Sequence, residues 1–234
     1  MPPAAVPGAF AASLSAAGQN ASVTLPDDAM AQLASLRTMP VQARGRDKLI
    51  RMLEVADRLI ATEGADAITT TRIATEAGIS VGSVYRYLPN RGAIIEALAQ
   101  YYLGRLEERM DQLVETARAA GPDVDLVGPA VDAFAEFYRA NPGFRALWFG
   151  RHMTAEALQL DRAHKHRMAE RIRDVLVARG LGRNDRRTLR ISQVIQLSTD
   201  AVIQEAFRTS ANGDKALLEQ LKAMVRGYLA EPGR

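Results

Sequence analysis

Few backbone paths are open to the stretch Thr69–Arg91, T-T-T-R-I-A-T-E-A-G-I-S-V-G-S-V-Y-R-Y-L-P-N-R. It reads as two short helices around one tight turn. The hydroxyl of Thr70 is placed to cap the first, whose small apolar face is Ile73, Ala74 and Ala77. Gly78 has no Cβ and can take the left-handed conformation that closes a helix. Ser80 is placed to cap the second helix, which turns Val84 and Leu88 inward on a spacing of four. Pro89 and Asn90 stop it, because proline lacks a backbone donor and clashes with the preceding turn.

Two helices around a glycine turn, the second offered to solvent, form a helix-turn-helix, whose second helix fits the DNA major groove. Val81, Gly82 and Ser83 are small enough for close approach to base edges. Tyr85, Arg86, Tyr87 and Arg91 carry donors for phosphate oxygens. Arg46, Thr70, Thr71, Arg72 and Ser80 complete the expected DNA-binding set.

Over roughly Leu49–Leu98 the sequence resembles the TetR-type transcriptional regulators. M-L-E-V-A-D-R-L-I-A-T-E-G (Met52–Gly64) is similar to that family's first helix, and Ile68–Ile95 to its second and third helices and the start of its fourth. The family often has Phe at Leu88, Lys at Arg91 and Glu at Gly92. The first two changes keep the chemistry, and the third removes a group that would cap the fourth helix. The resemblance implies an effector pocket in the C-terminal half, with inducer binding lowering DNA affinity. A few relatives work instead as DNA-bound adaptors.

The chain of 234 residues carries 30 basic and 27 acidic side chains, a net charge of +3. DNA binding therefore has to come from local clustering rather than a global field. Cysteine is absent, which excludes disulfides, thiolate metal sites and cysteine nucleophiles. No uncharged apolar run approaches bilayer length, and the alanine-rich start has no basic residue ahead of it and is broken by prolines. A cytoplasmic protein is expected.

The expected fold is all-α, in three parts. Residues 1–44, rich in Ala, Ser, Pro and Gly, read as a flexible tail with a short helix possible over Asp27–Met39. A minor-groove arm through Arg37, Arg44 and Arg46 is the alternative to a solvated leader. Residues 45–92 form the three-helix DNA-binding domain, its first helix running from Asp47 to Glu63. Residues 93–231 form a helical ligand-binding and dimerisation domain. In it, a long helix from Ala93 contains Gly104 as a soft point, and Pro129 opens the next helix. Thr154, Asp185 and Asp214 each cap a later one.

Six of the chain's 13 aromatic residues fall between Phe134 and Phe149. Singly each suits a core; together they suit a cavity for a flat or greasy effector. The expected pocket comprises Met110, Phe134, Phe137, Tyr138, Phe144, Trp148, Met153, His164, Met168, Gln196 and Asp200. Asp200 and Glu205 face either an ion pair or a ligand amine, with Arg145 and Arg151 as possible partners. A metal reading of His152, His164 and His166 fails on spacing, since His164 and His166 point to opposite sides of a helix. The helix from Arg186 carries no charge between Arg190 and Asp200, and the last helix has a wide apolar band. Ile195, Val202, Phe207, Leu217, Leu221, Met224, Val225 and Tyr228 are the expected homodimer interface, a four-helix arrangement about a two-fold axis. No catalytic constellation, cofactor motif or metal set stands out. The residues point to a non-enzymatic, homodimeric, ligand-responsive repressor on a near-palindromic operator. The alternative is a DNA-bound adaptor that docks a protein.

Overall fold

The computed structural model describes residues 43–121 and 124–230. The leader before Ala43, the helix expected over Asp27–Met39, Arg37 and Pro122 lie outside the described residues. Among the described residues the fold is all-α with no strand. Helix α1 is Ala43–Glu63, followed by a 3-10 turn at Ala65–Ala67, α2 (Thr70–Ala77), α3 (Val81–Tyr87) and α4 (Arg91–Ala119). Then come α5 (Val127–Ala140), α6 (Pro142–Phe149), α7 (Ala155–Ala178), α8 (Arg186–Thr209) and α9 (Lys215–Ala230).

Besides α2, three helix starts differ from expectation, each for a local reason. Helix α1 begins four residues before Asp47, so Arg44 and Arg46 stand on its first turn rather than ahead of it. Helix α4 begins at Arg91 because Asn90, expected only to end α3, accepts a hydrogen bond from the Ala93 amide at 2.9 Å. That cap takes the place of the glutamate absent at Gly92. Helix α5 begins at Val127 because Asp125 accepts from the amides of Val127 (3.1 Å) and Gly128 (3.3 Å). Pro129 then sits inside the first turn, where a missing N–H breaks no intrahelical bond. Thr154, Asp185 and Asp214 cap α7, α8 and α9 as their positions suggest.

The chain divides into two compact units. One holds the described residues up to Arg105 together with Asn141–Arg162. It contains α1, α2, α3, α6, the first half of α4 and the start of α7. The other holds Leu106–Ala140 and the described residues from Ala163 on, so both α4 and α7 contribute to each unit.

In the first unit α1 is the floor. Leu49, Met52, Leu53, Leu59 and Ile60 are all at most 2% exposed. Helices α2 and α3 rest on it through Ile73, Val84 and Leu88, and α6 packs on it through a surface that includes the buried Gly143, Phe144 and Leu147. Fully burying side chains of this size stabilises by about 1.5–3 kcal/mol each. In the second unit Met110, Leu113 and Met168 form a buried cluster, with Phe134, Ile172 and Val175 packed against it.

Gly143 sits where no larger residue fits. A Cβ built on it would overlap Asp57 Oδ1 of α1 and lie 2.7 Å from the Tyr102 hydroxyl of α4. Gly143→Ala is expected to destabilise the protein by about 1–3 kcal/mol, as overpacking does. A lowered midpoint in urea unfolding, with no change in slope, checks this.

Candidate nucleic-acid interface

The turn between α2 and α3 is built as the sequence demands. Gly78 adopts φ +63°, and the Ile79 amide reaches back to the Ala74 carbonyl at 2.9 Å, closing α2 with a left-handed cap. Ser80 caps α3 through the Ser83 amide, and its hydroxyl also lies 2.8 Å from the Ser83 hydroxyl. One assignment needs correcting. Thr69, not Thr70, caps α2, accepting from the Arg72 amide at 3.1 Å. Thr69 has the extended backbone a cap requires, whereas Thr70 already lies inside the helix and is buried.

Helix α3 then turns one face to solvent. Val84 and Leu88 are fully buried, while Val81 (41% exposed) and Tyr85 (50% exposed) stand out to solvent. Ser80, Gly82 and Arg86 are exposed beside them, Ser83 and Tyr87 partly so, and Thr71 and Arg46 are exposed on their own helices. A side chain of Tyr85's size left half in water on a seven-residue helix is the kind of exposed apolar group that marks a contact surface.

Two arginines of the expected set are engaged within the unit. Arg72 pairs with Glu63 at 2.5 Å and Glu76 at 2.8 Å, and Glu76 also takes Arg58 at 2.8 Å, lacing α2 to α1. The hydrogen bond from Arg72 holds the Glu63 carboxyl below the usual range. Arg91 bonds Asp66 at 2.8 Å and lies 3.2 Å from His152 Nδ1. Glu76 stands four residues after Arg72, a spacing the helix itself offers, whereas the Arg91 partners come from a turn and a distant loop that helical spacing does not reveal.

The residues expected to line an effector pocket fall into separate groups. Phe144 and Trp148 belong to the first unit, their rings 4.3 Å apart, with Phe144 edge-on to Tyr102 at 5.3 Å. Met153, partly buried, follows in the same unit. Met110, Phe134 and Met168 are in the core of the other unit. There Phe137 is 1% exposed with the Arg109 guanidinium 5.4 Å from its ring centre, and Gln196 is buried. Tyr138 stacks on Phe207 and donates to Asp200 at 3.4 Å, and Asp200 pairs with Lys165 at 3.0 Å. His164 is buried against Glu107 (2.9 Å), which also takes Arg167 at 2.7 Å. Burial alone would raise the Glu107 carboxyl, but the hydrogen bonds from His164 and Arg167 outweigh it and hold the group at about 2. A cleft of about 450 Å³ in this unit is lined by Asp111, Val114, Glu115, Arg118, Glu170, Arg171, Arg173 and Asp174. Apart from Val114 its lining is charged, and it shares no residue with the expected pocket.

The two C-terminal helices divide the expected interface. Ile195, Phe207, Leu221 and Val225 are at most 8% exposed, already enclosed by their own unit. Val202, Leu217 and Tyr228 are partly exposed, and Met224 is 46% exposed. Val194 (49%) and Leu197 (59%), outside the expected interface, also stand in solvent. Their spacing of three on the uncharged run of α8 was the available signal.

Residues 52–98 match the model of the bacterial regulatory proteins of the tetR family, and residues 124–229 match that of a tetracyclin repressor-like C-terminal domain. A TetR-family transcriptional regulator from Streptomyces coelicolor is 30% identical, with a TM-score of 0.58, covering 82% of this chain and 100% of that one. The crystal structure of a multidrug binding protein, EbrR, complexed with imidazole shares the fold at 16% identity and a TM-score of 0.58, covering 85% of this chain and 98% of that one. The nucleoid occlusion factor SlmA of Aliivibrio fischeri is 28% identical over 133 residues, 57% of this chain and 65% of that protein's length, just under two thirds. No helix among the described residues is long and apolar enough to cross a membrane. With its glycine turn, its exposed second helix and a family match in each half, the chain belongs to the TetR family of DNA-binding transcriptional regulators.

Proposed function

We propose that this regulator is a homodimeric repressor in the cytoplasm that leaves a near-palindromic operator when a small, largely apolar effector fills its C-terminal half. The half-exposed Tyr85 and Val81 on a capped, rigid α3 carry the DNA side of this reading. Two such helices enter successive major grooves whose centres lie about 34–36 Å apart, or a multiple of that. Val194, Leu197 and Met224, with the partly exposed Val202, Leu217 and Tyr228, support a dimer through α8 and α9. The match to a tetracyclin repressor-like C-terminal domain supports the effector, with Met110, Phe134, Phe137 and Met168 as the apolar wall it would part. Coupling between effector and DNA is typically about 1–3 kcal/mol.

A second reading, a DNA-bound adaptor whose C-terminal half docks a protein, draws its support from the relatives named nucleoid occlusion factors. A thermal-shift screen against a small-molecule library separates the two. Ligands that bind only the native state raise the melting temperature, and by the first reading the same ligands release operator DNA. A library that yields no such ligand favours the adaptor.

Three outcomes are expected. Against an operator selected from random duplexes, Tyr85→Ala weakens gel-shift affinity about tenfold or more while the protein stays dimeric. Arg46→Ala lowers affinity evenly across sequences and reduces the salt slope by about 1. Leu197→Glu places a charge on the α8 face and yields monomers in sedimentation, with the helical content unchanged.

A further inference from the structure

Asp57 is the one acidic side chain on the buried side of α1. It is 5% exposed, its Oδ1 has no hydrogen-bond partner, and no ion pair involves it among the described residues. A buried carboxylate without a partner is costly, so such a group is either neutral or destabilising. Its surroundings explain why it matters. The space a Cβ would occupy at Gly143, in the first turn of α6, lies against Asp57 Oδ1 and 2.7 Å from the Tyr102 hydroxyl. Helix α6 therefore seats on α1 at the point where this carboxyl is enclosed.

The charged groups on the surrounding elements offer no relief. On α1 the neighbouring Arg58 is held by Glu76 of α2, and Arg72 of α2 by Glu63 and Glu76. Asp66 of the 3-10 turn is held by Arg91 of α4. Helix α3 carries Arg86, exposed to solvent, and α6 carries a single charge, Arg145. From α4 the Tyr102 hydroxyl borders the same point at Gly143 as Asp57 Oδ1.

We propose that Asp57 is a proton-operated latch: with its carboxyl neutral, helix α6 seats on α1, and with the carboxyl ionised that seat loosens. The latch goes beyond the effector reading and does not depend on it. Burial pushes the Asp57 carboxyl up from the ordinary aspartate value of 3.8 to about 7. Because the folded value lies above the unfolded one, the stability linked to this group is fully present below about pH 4. It is lost as pH rises through about 7, and the curve is flat beyond that. The latch thus works where a cell's interior pH moves. Its output is the fit of α6 against the helix that carries the reading module.

The chain's sole tryptophan reports on the seat directly. Trp148 lies on α6, with its ring 4.3 Å from Phe144 and 6.4 Å from Tyr102. Its fluorescence is to be followed from pH 5 to 9 in the full-length protein and in Asp57→Asn and His152→Gln. The wild type is expected to show a red shift with a midpoint near pH 7, kept by His152→Gln and absent from Asp57→Asn, whose side chain stays neutral. No transition in the wild type, or the same transition in Asp57→Asn, overturns the proposal. So does a transition lost only in His152→Gln. Should Asp57→Asn fail to fold, carboxyl-carbon NMR of the wild type decides. An aspartate titrating near pH 7 supports the latch, and every aspartate titrating below pH 5 overturns it.

Discussion

Burial of the apolar face of α1 is the constraint on which the reading unit depends. Leu49, Met52, Leu53, Leu59 and Ile60 leave almost nothing in water, and this can be achieved only with other helices packed over them. Helices α2 and α3 cover part of α1, and α6 packs on it as well. The position of α3, and so the direction in which Tyr85 points, is inherited from that floor. A helix of seven residues has little stability of its own, since isolated helices shorter than roughly 12–15 residues are marginal in water. Its caps, its left-handed glycine turn and its two buried anchors, Val84 and Leu88, make up the difference.

Surface charge adds order rather than bulk stability. The pairs that Arg72 makes with Glu63 and Glu76, and Arg58 with Glu76, are exposed, and solvent screening leaves exposed pairs little net effect on stability. What they do is remove the choices open to an arginine that stands one helix away from the reading surface. Arg91 is restrained in a similar way by Asp66. Arg46 and Arg86 stand outward on this unit.

The reading module was legible because its signals are local. A left-handed glycine, serine and threonine caps, and a spacing of four each act within a few residues, so Gly78, Ser80, Val84 and Leu88 could be placed from the chain alone. Even there the cap was assigned one residue late, at Thr70, because three consecutive threonines offer three hydroxyls and only backbone geometry selects Thr69. The C-terminal half was less legible because its decisive contacts are between residues far apart in sequence. Glu107 meets His164 and Arg167, and Lys165 meets Asp200, across dozens of residues that no periodicity connects. The aromatic run Phe134–Phe149 looked like one group, yet the unit boundary passes through it at Asn141. A sequence shows that aromatic residues are dense, but not which of two cores each one fills.

That boundary bears on how the protein comes into being on the ribosome. Helix α6 lies on α1, yet α2, α3, α4 and α5 all separate them along the chain. With synthesis proceeding at roughly 5–20 residues per second, α1, α2 and α3 emerge seconds before the helix that packs on α1. During that interval the surface awaiting Gly143, Phe144 and Leu147 faces water. The unit that holds the helix-turn-helix is thus begun early but finished late, and a nascent chain cannot complete it until α6 and the start of α7 have been made.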